Sequence, residues 1–185
     1  GSSAGKETVF EMKDGAITAN AATGGFGGGI YALYHTGKIT VRISGGSITD
    51  NVMRMSGAAV GLEGEGGNYP SIELSGTPNI EGDVFLYDRE EGPVIHITGA
   101  FAPAEPIVLS VNRGAAGTVA VSYAEGIEPD AGQFVSESET IGLKQDGQNL
   151  VWAKMLKISF KSEDNKTTYQ TVYVLPDTTI DAGLA

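Results

Sequence analysis

At 185 residues the chain is long enough for one domain with a sizeable core, and the absence of cysteine removes disulfide frameworks and thiolate metal sites. Twenty-seven glycines, only seven prolines and abundant Val, Ile and Thr point to short strands joined by tight turns. A formal net charge of −11 argues against a phosphate-binding surface and hence against nucleic acid as a partner, and no apolar run approaches the roughly 20 residues that span a bilayer.

Taken in chain order, residues 1–7 carry no apolar signal-type core and read as a flexible leader, so any export signal is expected to have been removed already. The first strand element runs from Phe10 through Gly15, Ile17 and Thr18 to Asn20, and it recurs at a constant offset as Val41, Gly46, Ile48, Thr49 and Asn51. A third copy, Ile72 to Ile80, keeps the apolar pair, the glycine and the final isoleucine with one extra residue. Each copy is followed by a second apolar element: Gly29 to Leu33, then Ala59 to Leu62, then Asp83 to Tyr87. Alternation over about five positions bounded by glycine fits half-buried strands, because a helical face needs spacings of three and four. A unit of this size cannot close its own core, so the copies are expected to stack in register and bury a continuous column of Ile, Val, Leu and Met. Glycine and asparagine then mark corners that need positive φ, and Asn20 and Asn51 are expected to stack as an amide ladder.

Further along, Val94 to Gly99, Ile107 to Val111 and Thr118 to Tyr123 continue as strands with shorter turns. Leu143 to Trp152 reads as a hairpin around Asp146-Gly147 that closes an otherwise open sheet edge. Leu156 to Phe160 and Tyr169 to Leu175 form a second hairpin across a charged turn, and Asp177 to Ala185 is turn-like. The expected architecture is all-β: a right-handed parallel β-helix, or β-solenoid, of about three to four degenerate coils over residues 8–154. Residues 155–185 add a hairpin that is either its cap or the start of a second module.

The segments GGFGGGIYAL, ITVRISGGSITDN and LSGTPNIEGDVFLYDREEGPVIHITGAF resemble the right-handed parallel β-helix repeats of large surface and adhesin-like proteins from anaerobic bacteria. The likeness spans residues 8–154 and is one of pattern; Ala58 and Ala59 depart from it where the first copy has glycines, and Gly82 stands near a position that holds Asn earlier. The stretch LKISFKSEDNKTTYQTVYVLPDTTIDA is similar to the first half of the internalin-type B-repeat, a β-grasp-like module. Together these resemblances imply an exported, cell-surface or extracellular protein with further domains, and glycans or surface proteins as partners; fold analogy supplies no ligand.

No catalytic motif, cofactor or metal is expected from the residues. Gly24 to Gly29 resembles a calcium-binding nonapeptide, but Gly29 takes the position of the carboxylate that such a site needs. Its match to a dinucleotide fingerprint lacks a following helix. His35 and His96 have neither the spacing of a metal pair nor a partnered serine motif, and alternation turns His96 outward between Ile95 and Ile97. Parallel β-helices include polysaccharide lyases and glycosidases, so Asp50, Glu63, Glu65, Asp83, Asp88, Glu90 and Glu91 are the carboxylates to examine, with Arg42, Arg54 and Arg89 too scattered to neutralise an acidic sugar. Tyr31, Tyr34 and Tyr87, with Asp88, are the candidate ligand-binding residues, because aromatics along a sheet face suit stacking on sugar rings. The leading expectation is a non-enzymatic adhesin or stalk module; the alternative is a carbohydrate-active enzyme that uses surface carboxylates.

Overall fold

The computed structural model describes residues 7–34, 37–64, 68–87 and 92–179. Within them the protein is all-β, with several sheets that mix parallel and antiparallel strands and a single 3-10 turn at Ala131–Gln133. The first copy of the repeat forms β1 (Glu7–Met12), β2 (Ala16–Thr18), β3 (Ala21–Ala22) and β4 (Ile30–Leu33). The second forms β5 (Lys38–Ile43), β6 (Ser47–Thr49), β7 (Val52–Met53) and β8 (Val60–Glu63), and the third forms β9 (Ser71–Gly76), β10 (Asn79–Ile80) and β11 (Asp83–Tyr87). Then come β12 (Ile95–Phe101), β13 (Ile107–Val111), β14 (Val119–Tyr123) and β15 (Phe134–Ser136). The chain ends with two hairpins, β16 (Ile141–Asp146) with β17 (Asn149–Lys154) and β18 (Leu156–Lys161) with β19 (Thr168–Val174).

Every strand of the first copy pairs in parallel with its counterpart in the second: β1 with β5, β2 with β6, β3 with β7 and β4 with β8. Phe10 lies beside Val41, Ile17 beside Ile48 and Ile30 beside Val60. The extra residue of the third copy falls between Leu74, which pairs with Ile43, and Asn79, which pairs with Ser47. The ladders then continue through a shorter unit, with Ile72 beside Ile95, Ile95 beside Val121, Val84 beside Leu109 and Ile107 beside Phe134. The result is a seven-stranded sheet in the order β1-β5-β9-β12-β14-β17-β16, a five-stranded sheet in the order β15-β13-β11-β8-β4, and a three-stranded sheet in the order β10-β6-β2.

Alternation decides what these ladders bury, since successive side chains leave a strand on opposite faces. On the inner face of the seven-stranded sheet Val41, Ile72, Ile95, Val121 and Leu150 form one row, each at most 1% exposed. They meet Val60, Leu62, Val84, Leu86 and Leu109 from the five-stranded sheet in one apolar cluster, with Ile48 and Ile80 on the third side. Burial of each such side chain contributes roughly 1.5–3 kcal/mol, so the repeated positions carry the fold's cohesion. At the far end β17 runs antiparallel to β14, and Leu143, Leu150 and Trp152 of the β16–β17 hairpin cover the core.

The amide ladder forms as the repeat implies: the Asn20 Nδ2 donates to Asn51 Oδ1 at 2.8 Å. Positive φ falls on corner glycines as expected, Gly15 at 90° and Gly46 at 79° among them, but not on the two asparagines. The residues before the asparagines, Ala19 at 57° and Asp50 at 56°, take the left-handed conformation, which frees each asparagine to aim its carboxamide along the stack. In the run Gly24 to Gly29 close approach matters more than φ. A Cβ on Gly28 would lie 2.5 Å from the Ala58 carbonyl oxygen, and the Gly28 N–H donates to the Gly57 carbonyl at 2.8 Å.

Candidate functional site

The outer face of the seven-stranded sheet gathers the polar half of the alternation. Because β1, β5, β9, β12 and β14 are parallel neighbours, one row across them reads Glu11, Arg42, Glu73, His96 and Ser122. Adjacent strands are about 4.7–4.9 Å apart, which brings neighbours along the row within hydrogen-bonding reach. Arg42 Nε donates to Glu73 Oε2 at 2.7 Å, and His96 Nδ1 lies 2.7 Å from Ser122 Oγ. Nearer the start of these strands, Lys38 Nζ lies 3.1 Å from Glu7 Oε1, Thr40 Oγ1 donates to the same oxygen at 3.2 Å, and Ser71 Oγ donates to Thr40 Oγ1 at 3.2 Å.

These contacts set the local electrostatics. The hydrogen bond from Lys38 and that from Thr40 hold the Glu7 carboxyl below its ordinary value. The Glu73 carboxylate raises the Arg42 guanidinium further. Burial pushes the His96 imidazole down, and nearby Lys38 adds to that against the opposing pull of Glu73. A lowered imidazole is neutral at physiological pH, so it offers one donor and one acceptor.

Two depressions open on this face. The larger, about 420 Å³, is lined by Lys38, Ser71, Glu73, His96 and Ser122 among others. The smaller, about 150 Å³, is lined by Glu11, Arg42, Ser75 and Thr98, and Glu73 and Thr98 border both. The face is therefore a shallow polar groove with anchored hydrogen-bonding groups of both signs.

Tyr31 and Tyr87 sit on a different surface, the outer side of the five-stranded sheet. Tyr31 is 40% exposed on β4 and its hydroxyl donates to Glu63 Oε2; partial burial, and after it this bond, pushes that hydroxyl up. Tyr34 is half-buried and its main-chain N–H donates to the Glu63 carbonyl at 2.7 Å. Tyr87 stacks on Phe26 with ring centroids 5.0 Å apart, and Phe26 also lies 4.9 Å from Phe85. The structure thus packs Tyr87 into an aromatic cluster and leaves Tyr31 beside it, half-occupied by its carboxylate. Asp88 lies outside the described residues, as do His35, Glu65, Arg89, Glu90 and Glu91.

The remaining carboxylates have structural work. Asp83 accepts the N–H groups of Gly57 and Ala58, each at 2.7 Å, and the Ser110 hydroxyl, which ties the loop before β8 to the next unit. Asp50 is exposed and occupies its left-handed corner. Among the described residues no group of three His, Asp or Glu is placed to hold a metal, and no helix is long and apolar enough to cross a membrane.

Sequence reasoning turned His96 outward, and Ile95 and Ile97 are fully buried beside it. It missed Lys38, Glu73 and Ser122 as its neighbours. The Arg42–Glu73 pair was within reach, since the two stand one 31-residue repeat apart. The His96–Ser122 pair was not, because it spans 26 residues, after the repeat has shortened. The geometry defines an all-β protein with a polar groove on a largely parallel sheet; no family model, no curated protein and no solved structure matches the chain.

Proposed function

We propose that this chain is a non-enzymatic module of an exported bacterial surface protein, built as a right-handed parallel β-helix of about three to four coils, that binds glycan in its polar groove. The stacked parallel pairing of three sheets in successive units supports the β-helix reading. In it, residues 8–154 are coils and closing strands, and 155–185 are an appended hairpin.

The observation that carries the binding role is the row Glu11–Arg42–Glu73–His96–Ser122, in which Arg42 is bonded to Glu73 and His96 to Ser122 before any ligand arrives. Preorganised donors and acceptors in a shallow, water-accessible groove suit a hydroxyl-rich chain, which exchanges water hydrogen bonds for protein ones with little ordering cost. A glycan array of neutral and acidic polysaccharides followed by calorimetry tests this. A hit whose affinity falls about tenfold or more in the Glu73→Ala, His96→Ala double variant supports it. Absence of any hit overturns the binding role and leaves a stalk.

The alternative, a lyase or glycosidase, draws on Glu73 standing beside His96 in that row. Glycosidases use a pair of carboxyl groups about 5–9.5 Å apart across the scissile bond. Glu73 is bound by Arg42, Glu63 by Tyr31, and Asp83 by three donors, which favours binding over turnover. New reducing ends or unsaturated uronate products on incubation with polysaccharides would reverse that preference.

A further inference from the structure

The two depressions on the outer face of the seven-stranded sheet adjoin each other across the strands. The smaller draws its lining from β1, β5, β9 and β12, through Glu11, Arg42, Ser75 and Thr98. The larger draws from β5, β9, β12 and β14, through Lys38, Ser71, His96 and Ser122. Because Glu73 and Thr98 border both, the two form one band that crosses parallel neighbours along the stack and not along any single strand. Among the described residues, charge on and beside this band is balanced pair by pair. Lys38 Nζ lies 3.1 Å from Glu7 Oε1, Lys13 Nζ 3.2 Å from Glu11 Oε2, and Arg42 Nε 2.7 Å from Glu73 Oε2. These cations already have their carboxylates, and the field of a chain of net charge −11 repels an anionic sugar. What the band offers is uncharged: the hydroxyls of Ser71, Ser75, Thr98 and Ser122 and the ring of His96. The one aromatic among the described lining residues, Tyr123, is 6% exposed, so a sugar meets the band by its hydroxyl edge and not by stacking.

We infer that the band takes a neutral, equatorially linked pyranose chain laid along the stack, about four consecutive sugars at a time. This rests on the glycan-binding reading above and adds to it the charge, linkage and direction of the ligand. From β1 to β14 the band covers four strand steps of about 4.7–4.9 Å, about 19 Å in all. A pyranose chain linked through equatorial bonds is a flat, extended ribbon with hydroxyls along both edges, and it advances by about one such step per sugar. A chain with an axial linkage coils and leaves that register. Since the contacts repeat at the strand spacing, the band reads the interior of a chain and not its terminal sugar. Thr98 is exposed and borders both depressions, which places it where the two halves of the bound segment join.

Calorimetry on the full chain with neutral β-linked gluco- and manno-oligosaccharides, from the monosaccharide to the hexasaccharide, tests this. Affinity is expected to rise about tenfold from disaccharide to tetrasaccharide and then to level off. At tetrasaccharide length the α-linked gluco-series, and the β-linked series oxidised to the corresponding uronates, are each expected to bind about tenfold or more weakly. Thr98→Leu, which sets an apolar branch where the depressions meet, is expected to hold the tetrasaccharide near disaccharide affinity and to leave the disaccharide unchanged. Equal affinity at all lengths, an equal gain in the α-linked series, a preference for the uronates, or a Thr98→Leu chain that binds the tetrasaccharide like its parent overturns the inference and leaves glycan binding standing. Failure of every sugar, charged ones included, removes the glycan-binding reading itself and this inference with it.

Discussion

The carboxamide oxygen of Asn51 accepts both the main-chain N–H of Asn20, at 3.1 Å, and its side-chain N–H, at 2.8 Å, across a separation of 31 residues. The Asn51 amide in turn donates to the Ile17 carbonyl at 2.8 Å. Asn51 is buried whereas Asn20 is exposed, so the two substitutions differ in consequence. A net hydrogen bond contributes about 0.5–1.5 kcal/mol, and a buried group left unmatched costs more. Asn51→Ala is expected to destabilise the fold by about 2–4 kcal/mol and Asn20→Ala by about 1 kcal/mol, read from urea unfolding midpoints. Equal effects would mean that the ladder is not directional in the way the bonds imply.

The corner just before this pair holds a second, opposite expectation. Ala19 sits at φ 57°, a conformation that costs an alanine roughly 1–2 kcal/mol, while the equivalent Asp50 belongs to a residue type that tolerates it. Ala19→Asn is expected to raise stability by about 0.5–1 kcal/mol with no change in the far-ultraviolet spectrum. An unchanged or lower unfolding midpoint would show that no strain is held at Ala19.

How far the sequence discloses this fold follows from where the repeat is regular. Phe10 with Val41 and Ile17 with Ile48 keep constant spacing because the first two units have equal length, so alternation alone aligns them. The third unit's extra residue was visible in the sequence, and the pairing slips by one between Leu74 and Asn79. After that the step from Ile72 to Ile95 is much shorter, and nothing in composition reveals which later strand continues which ladder. The groove depends on those later alignments, which is why His96 read as an isolated outward residue. The positive φ at Ala19 was invisible for another reason, since alanine is not a residue that such a corner favours.

Phe26 shows the same limit at the level of packing. A lone aromatic in a glycine run reads as loop, yet its ring joins Phe85 and Tyr87, and its carbonyl lies where a Gly61 Cβ would be, at 1.5 Å. Gly61→Ala must push the Phe26 segment outward and is expected to cost about 2–3 kcal/mol, together with loss of near-ultraviolet signal from the aromatic cluster. Gly24→Ala, with nothing within 4 Å of the added methyl, serves as control and is expected to be close to neutral.

Asp83 gives a sharper test of whether the loop before β8 is fixed. Its carboxylate accepts from two successive main-chain N–H groups and from Ser110, and bonds to a charged acceptor contribute about 1.5–3 kcal/mol each when they are retained by the fold. Asp83→Ala is expected to cost about 2–4 kcal/mol and to raise hydrogen exchange at Gly57 and Ala58. Ser110→Ala, which leaves both main-chain bonds in place, should lose less and leave those two amides protected.

His96 carries the pH dependence. Its ordinary value is 6.5, and burial lowers it in the folded state, with Lys38 lowering it further and Glu73 opposing. Above that ordinary value both the folded and the unfolded imidazole are neutral, so the group leaves stability unchanged. As pH falls through it, the unfolded imidazole binds a proton that the folded one resists, the unfolded state holds more protons, and stability drops until the folded imidazole charges as well. The wild-type melting temperature is therefore expected to decline on acidification from neutral pH before the carboxylates begin to titrate. His96→Gln, which keeps a polar group beside Ser122 but does not titrate, should flatten that part of the curve. The same variant separates the groove from the rest of the molecule: a slope that persists in His96→Gln would place the titrating group elsewhere. A slope removed in the variant ties the pH response to the row from Glu73 to Ser122, and glycan affinity should then weaken over the same acidic interval.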